Sequence, residues 1–136
     1  MDAMTCDDVL GEGGKLKKIF TNFVPRQSQL EMARAISDAI DDESKLIVEA
    51  GTGIGKTFAY LVPALLSNKK VLISTGTKNL QDQLYYKDLP LIRKLFPVTK
   101  KVVLLKGRAN YLCWYRLENA AQEASYESRS MVTDLA

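Results

Sequence analysis

Leu46-Ile47-Val48-Glu49-Ala50-Gly51-Thr52-Gly53-Ile54-Gly55-Lys56-Thr57 is the stretch that decides how the rest of the 136-residue chain is read. The apolar run 46–48 is of the kind found in strands covered on both faces. The glycines at 51, 53 and 55 then free the backbone to curl, and Lys56-Thr57 opens a helical pattern. This is the layout of a phosphate-binding loop. Its backbone N–H groups can turn inward around an anion, and the start of the helix adds unpaired N–H groups and the positive end of a dipole. Lys56 carries an ammonium for the outer phosphates, and the Thr57 hydroxyl is placed to hold Mg²⁺. The strict pattern G-x-x-x-x-G-K-[ST] is departed from at its first position, where Ala50 stands. The plainer alternative is a glycine-rich strand-to-helix turn with an incidental lysine; the apolar run before it and the helical pattern after it favour the phosphate loop.

Outward from the loop, the composition is that of one ordinary globular domain, 46% hydrophobic and 26% charged. A domain of this length buries roughly two-thirds of the surface its unfolded chain exposes. The 19 Lys and Arg residues against 16 Asp and Glu leave a net charge of +3, too mild to announce nucleic acid or membrane by itself. No apolar run approaches the ~20 residues of a membrane span. The N-terminus, with Asp2, Asp7 and Asp8, lacks the basic-then-apolar layout of a signal peptide, so a cytoplasmic protein is expected. The two cysteines, Cys6 and Cys113, fit a reducing compartment better than a disulfide framework, and the absence of histidine removes the commonest general base.

In chain order, residues 1–18 read as a poorly ordered leader, with a weak helical period from Lys15 to Phe23 that Pro25 stops. Leu30, Ala33, Ile36 and Ile40 recur at three- and four-residue steps, which predicts an amphipathic helix from Arg26 or Gln27 to Ile40. A polar turn at 41–44 leads into the first strand. A mostly apolar helix from Lys56 to Ser67 follows the loop, kinked by Pro63. Val71 to Ser74 reads as a second strand and Val102 to Leu105 as a third. Between them lie a helix from Lys78 to Tyr86 and, past Pro90, a further turn from Leu91 to Phe96. Gly107-Arg108 leads into an aromatic helical stretch with Tyr111, Trp114 and Tyr115, and the residues from Gln122 on turn polar. Strands alternating with helices at this spacing predict an α/β fold with a parallel sheet and flanking helices.

Four segments in this order together resemble the superfamily 2 iron–sulfur DNA helicases, most closely the bacterial DinG/YoaA branch related to XPD. Phe23-x-Pro25-Arg26-x-x-Gln29-x-x-Met32 is similar to that family's adenine-reading element. A glutamine amide offers the donor and acceptor that an adenine edge requires; taken alone, a glutamine on a helix is ordinarily a solvated side chain, and its place ahead of the phosphate loop favours the reading role. Residues 49–57 match the nucleotide motif, which implies that Ala50, Gly51, Thr52, Gly53, Ile54, Gly55, Lys56 and Thr57 bind ATP and Mg²⁺, with Arg26 and Gln29 beside them. The segment from Ser74 to Leu84 is similar to the element that touches the phosphates of single-stranded DNA, which implies roles for Thr75, Thr77 and Gln81. An ordinary helix N-cap at Thr75 or Thr77 is the alternative. Lys106 to Cys113 resembles the stretch that supplies the first of four cysteines to a [4Fe–4S] cluster. On its own, a cysteine among aromatics reads as a small core residue.

The resemblance implies a RecA-like P-loop core, here an incomplete first motor domain over 19–107, and the start of the iron–sulfur domain over 108–136. It further implies a helicase moving 5′ to 3′ on DNA in repair or replication. The remaining cluster cysteines, the acidic Mg²⁺ ligand, the water-activating glutamate and the second motor domain of that family have no counterpart among these 136 residues. The chain is therefore expected to be an N-terminal piece that binds ATP without hydrolysing it or unwinding DNA. On that expectation, the cluster and the single-strand partner belong to the full-length protein. Rival readings are a small stand-alone P-loop protein or kinase, and an inactive truncated product.

Overall fold

The computed structural model describes residues 4–95 and 100–123. The regular elements among them are all helical: α1 (Cys6–Leu10), α2 (Lys15–Ile19), α3 (Gln27–Asp41), α4 (Lys56–Leu66), α5 (Lys78–Gln83), α6 (Leu89–Arg93) and α7 (Trp114–Glu123). The chain divides into two compact units, Met1–Val102 and Val103–Ala136.

The first unit is organised by α3 against α4. The periodic positions of α3 face inward, with Leu30 and Ala33 buried and Ile36 and Ile40 partly so. From α4 come Ala59, Leu61 and Val62. Pro63 lies inside α4, where it has no N–H to offer the carbonyl four residues back. The C-terminal carbonyls of both helices are met by lysines from elsewhere in the unit. Lys69 Nζ donates to Ile40 O at 2.7 Å and to Glu43 at 3.0 Å, past the end of α3. Lys100 Nζ donates to Ala64 O and Lys69 O at 3.1 Å each, and also to Ser67 O, at the end of α4. Cations there satisfy orphan carbonyls and complement the negative end of the dipole.

The expected leader is a correction. From Met4 on, residues of 1–18 form α1 and α2, with Cys6, Val9, Leu10 and Leu16 buried in the same core as α3 and α4. Thr5 opens α1 with a reciprocal cap: its hydroxyl accepts from Asp8 N–H, and the Asp8 carboxylate accepts from Thr5 N–H at 2.8 Å. That bond, and a second from the Thr5 hydroxyl, hold the Asp8 carboxyl below its usual range. Arg34 of α3 donates to Asp7 through Nε at 2.9 Å and through a second, charge-paired contact. The Asp7 carboxyl is lowered chiefly by this hydrogen bonding. Burial pushes the Cys6 thiol up, and its Sγ lies 3.7 Å from Ala33 O.

The expected parallel sheet is not formed among the described residues, which contain no strand. Residues 46–48 and 71–73 are unpaired, and exposure alternates along both. Ile47 is 98% exposed and Leu72 90%, against 40–46% for their neighbours. The period of two is the signature of extended backbone with one side partly covered and the other open. A parallel strand draws its stability from ladders on both edges and cover on both faces, and neither is supplied among these residues. The stretch 102–105, which crosses the boundary between the units, is likewise not a strand.

The helix expected from Lys78 to Tyr86 runs on further than Pro90 suggests. After α5 the backbone widens into a π-turn, Leu84–Asp88, in which Leu89 N–H bonds to Leu84 O, and it continues directly as α6. Pro90 then falls at the start of a helical segment, where its missing N–H does least harm, and the wide turn accommodates its ring. Phe96, the end of the turn expected past Pro90, lies outside the described residues. So do Met1 to Ala3 and the tail from residue 124.

Candidate functional site

The phosphate-loop residues form one exposed curl between the stretch 46–48 and α4. Gly53 and Gly55 sit at φ +83° and +85°, in the left-handed region that glycine enters without strain. Gly55 is the N-cap of α4 and has no side chain to cap it; its carbonyl accepts from Ala59 N–H at 3.3 Å. Lys56 folds back over the loop, with Nζ donating to Gly51 O at 2.7 Å and Ala50 O at 2.9 Å.

Two side chains from the first turn of α3 reach the same curl. Arg26, the N-cap of α3, donates through its guanidinium to Gly53 O. Gln29 donates through Nε2 to Gly55 O at 2.9 Å and is only 3% exposed. The positions separated by about two dozen residues in the sequence are brought together, so Arg26, Gln29 and residues 50–57 share one site. Thr57 lies half-buried in the first turn of α4, with Tyr60 one turn on. Burial pushes the Tyr60 phenol up, and the charge of Asp88 adds to it.

Sequence reasoning missed Tyr60, one turn from Thr57, and the burial of Gln29. The i, i+3 spacing of Thr57 and Tyr60 on a helix is a signal that could have found the first. No comparable sign marks Gln29, which lies beside Leu30 at the edge of the apolar face.

Thr75 and Thr77 build the turn that opens α5. Thr77 Oγ1 accepts from Leu80 N–H at 3.2 Å, and the Thr75 hydroxyl donates to Thr77 O at 3.3 Å. The N-cap role is therefore filled by Thr77, and Gln81 stands one turn on, its N–H bonded to Thr77 O at 3.1 Å. In the second unit, the carbonyl of Cys113 accepts from Leu117 N–H at 3.0 Å at the start of α7, and the Cys113 thiol is exposed. Tyr111, Trp114 and Tyr115 around it are 60–72% exposed. Among the described residues no group of three or more His, Cys, Asp or Glu side chains could hold a metal ion, so these residues do not by themselves fit a four-thiolate cluster. No described helix is long and apolar enough to cross a membrane.

The chain is similar in sequence to known helicases. The ATP-dependent DNA helicase YoaA of Haemophilus influenzae is 50% identical over 128 residues, covering 94% of this chain and 20% of that protein. The helicase of the same name from Escherichia coli is 54% identical over 114 residues, covering 84% of this chain and 18% of that protein. The 3′-5′ exonuclease DinG of Bacillus subtilis is 38% identical over 117 residues, covering 83% and 13%. The chain thus spans a fifth or less of the length of these relatives. No solved structure matches it. The DEAD/DEAH box helicase family matches residues 26–122, which include Arg26, Gln29, the whole loop, the turn at Thr75 and Cys113. By that match the chain belongs to the DEAD/DEAH box helicases.

Proposed function

We propose that the chain is the ATP-binding portion of a cytoplasmic, ATP-dependent DNA helicase that acts in repair or replication. The observation that carries this is the Lys56 ammonium held on Ala50 O and Gly51 O inside a loop with two left-handed glycines. The same ammonium can exchange those carbonyls for the outer phosphates of a nucleotide. The amides from Gly51 to Thr57 would cradle the phosphates, and the Thr57 hydroxyl would hold a Mg²⁺ ion. When bound, that ion offsets charge on the phosphates. Arg26 and Gln29 complete the nucleotide site.

Thr75, Thr77 and Gln81 offer hydroxyl, amide and backbone groups to the phosphates of a single strand. In the longer protein, moving 5′ to 3′, the stretches 46–48, 71–74 and 102–105 take strand positions in a RecA-like parallel sheet. Cys113 there would supply one of the four thiolates that a [4Fe–4S] cluster takes. The 136-residue chain alone binds ATP without turning it over, because hydrolysis needs a water-positioning group and a metal-holding acid besides the cradle.

The test is ATP–Mg²⁺ titration of the chain and of Lys56→Ala. Loss of a charge-assisted contact weakens binding about tenfold or more. Equal affinities in the two would refute the assignment.

A further inference from the structure

We infer that Tyr86 is a base-stacking platform for single-stranded DNA, extending the track of Thr75, Thr77 and Gln81 along the helical run that follows them. The inference rests on the single-strand reading proposed above and adds to it a contact with the faces of bases, where the others meet phosphates.

Tyr86 lies in the π-turn Leu84–Asp88, roughly 13 Å beyond Thr77 along the helix axis at 1.5 Å per residue. A strand rising about 3.4 Å per nucleotide covers that distance in about four. The side chain is 64% exposed, whereas Leu84, Leu89 and Ile92 of the same run are buried. Packing within this unit therefore does not account for a ring at this position. Its orientation is nevertheless fixed. The rings of Tyr85 and Tyr86 meet at 85° with centroids 5.1 Å apart, the favoured T-shaped arrangement, and Tyr85 is half-buried. Neighbours in sequence do not face each other on a regular α-helix. The wide turn, closed by the bond from Leu89 N–H to Leu84 O, lets these two meet and holds the open ring against an anchored one.

Charge selects the ligand. Lys78, Lys87 and Lys94 are exposed along this run. Its two acids are drawn back: Asp88 is 9% exposed and accepts from Gln83 Nε2 at 3.3 Å, and Asp82 Oδ1 is buried. A chain of phosphates with planar bases between them uses both the open cations and the open ring. An acidic protein surface would use only the first.

The experiment measures the affinity of the 136-residue chain, of Tyr86→Leu and of Tyr86→Phe for two strands of equal length at low salt. One strand is oligothymidylate; the other consists of abasic sites, with the same phosphates and no bases. Stacking predicts that the parent prefers the thymidylate strand. Tyr86→Leu then loses about tenfold or more on that strand and nothing on the abasic one. Tyr86→Phe, which keeps the ring, stays with the parent, and the salt dependence is the same in all three because no phosphate contact is removed. Equal loss on both strands, a loss of the same size in Tyr86→Phe, or no loss in Tyr86→Leu would overturn the inference. Should Tyr86→Leu not fold, the ring-proton resonances of Tyr86 in the parent decide. An upfield shift with thymidylate and none with the abasic strand supports stacking, and the same response to both overturns it. A parent that binds both strands equally well refutes this inference alone. A parent that binds neither refutes the single-strand reading, and this inference with it.

Discussion

Helices α3 and α4 close on each other, whereas the stretches 46–48 and 71–73 stay open, although the stretches are wholly apolar in composition. The difference lies in what each element needs from outside. A helix satisfies its backbone internally and asks for cover along one stripe. An extended segment leaves its N–H and C=O groups to neighbours and, in a parallel sheet, both faces as well. Where the chain supplies the stripe, Leu30, Ala33, Ala59 and Val62 lose nearly all exposure. Where ladders are absent, Ile47 and Leu72 keep 90% or more of theirs.

The contrast can be broken most forcefully at Leu61, which is 4% exposed in α4. Leu61→Ala is expected to destabilise the fold by about 2–5 kcal/mol in denaturant titration; a loss of a few tenths would mean that the α3–α4 contact is not the core. A middle effect belongs to the cap of α1. Thr5→Ala should cost about 1 kcal/mol, measured by thermal melting at neutral pH, if α1 is a true part of the core. Because the folded Asp8 carboxyl is lowered by its bonds from Thr5, its contribution is present above the usual carboxylate range and is lost as pH falls through the lowered value. Parent and variant should then converge in acid, and a gap that stays constant with pH would contradict the cap. The smallest effect is expected at Leu72. Leu72→Ser should leave the melting temperature nearly unchanged, within about 0.5 kcal/mol, while reducing self-association followed by light scattering over a concentration series. A large destabilisation would show that the stretch is paired in solution.

Local signals were the legible ones. The period of Leu30, Ala33, Ile36 and Ile40 predicts α3 to within a residue of Gln27–Asp41, and the order glycines, Lys56, Thr57 predicts where α4 begins. An apolar triplet states that a segment can be buried, yet pairing is decided by partners far along a chain, so the three strands were the weakest inference. The first residues were misread for the opposite reason. Their apolar positions are few, but Thr5 and Asp8 at capping-box spacing, with Cys6, Val9 and Leu10 after them, already describe a short docked helix. At the site, residue types and spacing grouped Arg26, Gln29 and residues 50–57, and the structure brings these residues together. What each glutamine atom bonds to depends on the path of α3 past the loop, which no spacing records.

Cys6 and Cys113 give the chain a chemical reporter of its own unfolding. One sulfur is enclosed between α1 and α3 with its thiolate disfavoured by burial, and the other is open to solvent in the second unit. Attack on a thiol reagent requires an accessible sulfur, so the folded chain offers the exposed Cys113. The second becomes available only when α1 lifts from α3, and its rate of labelling reads that local opening directly.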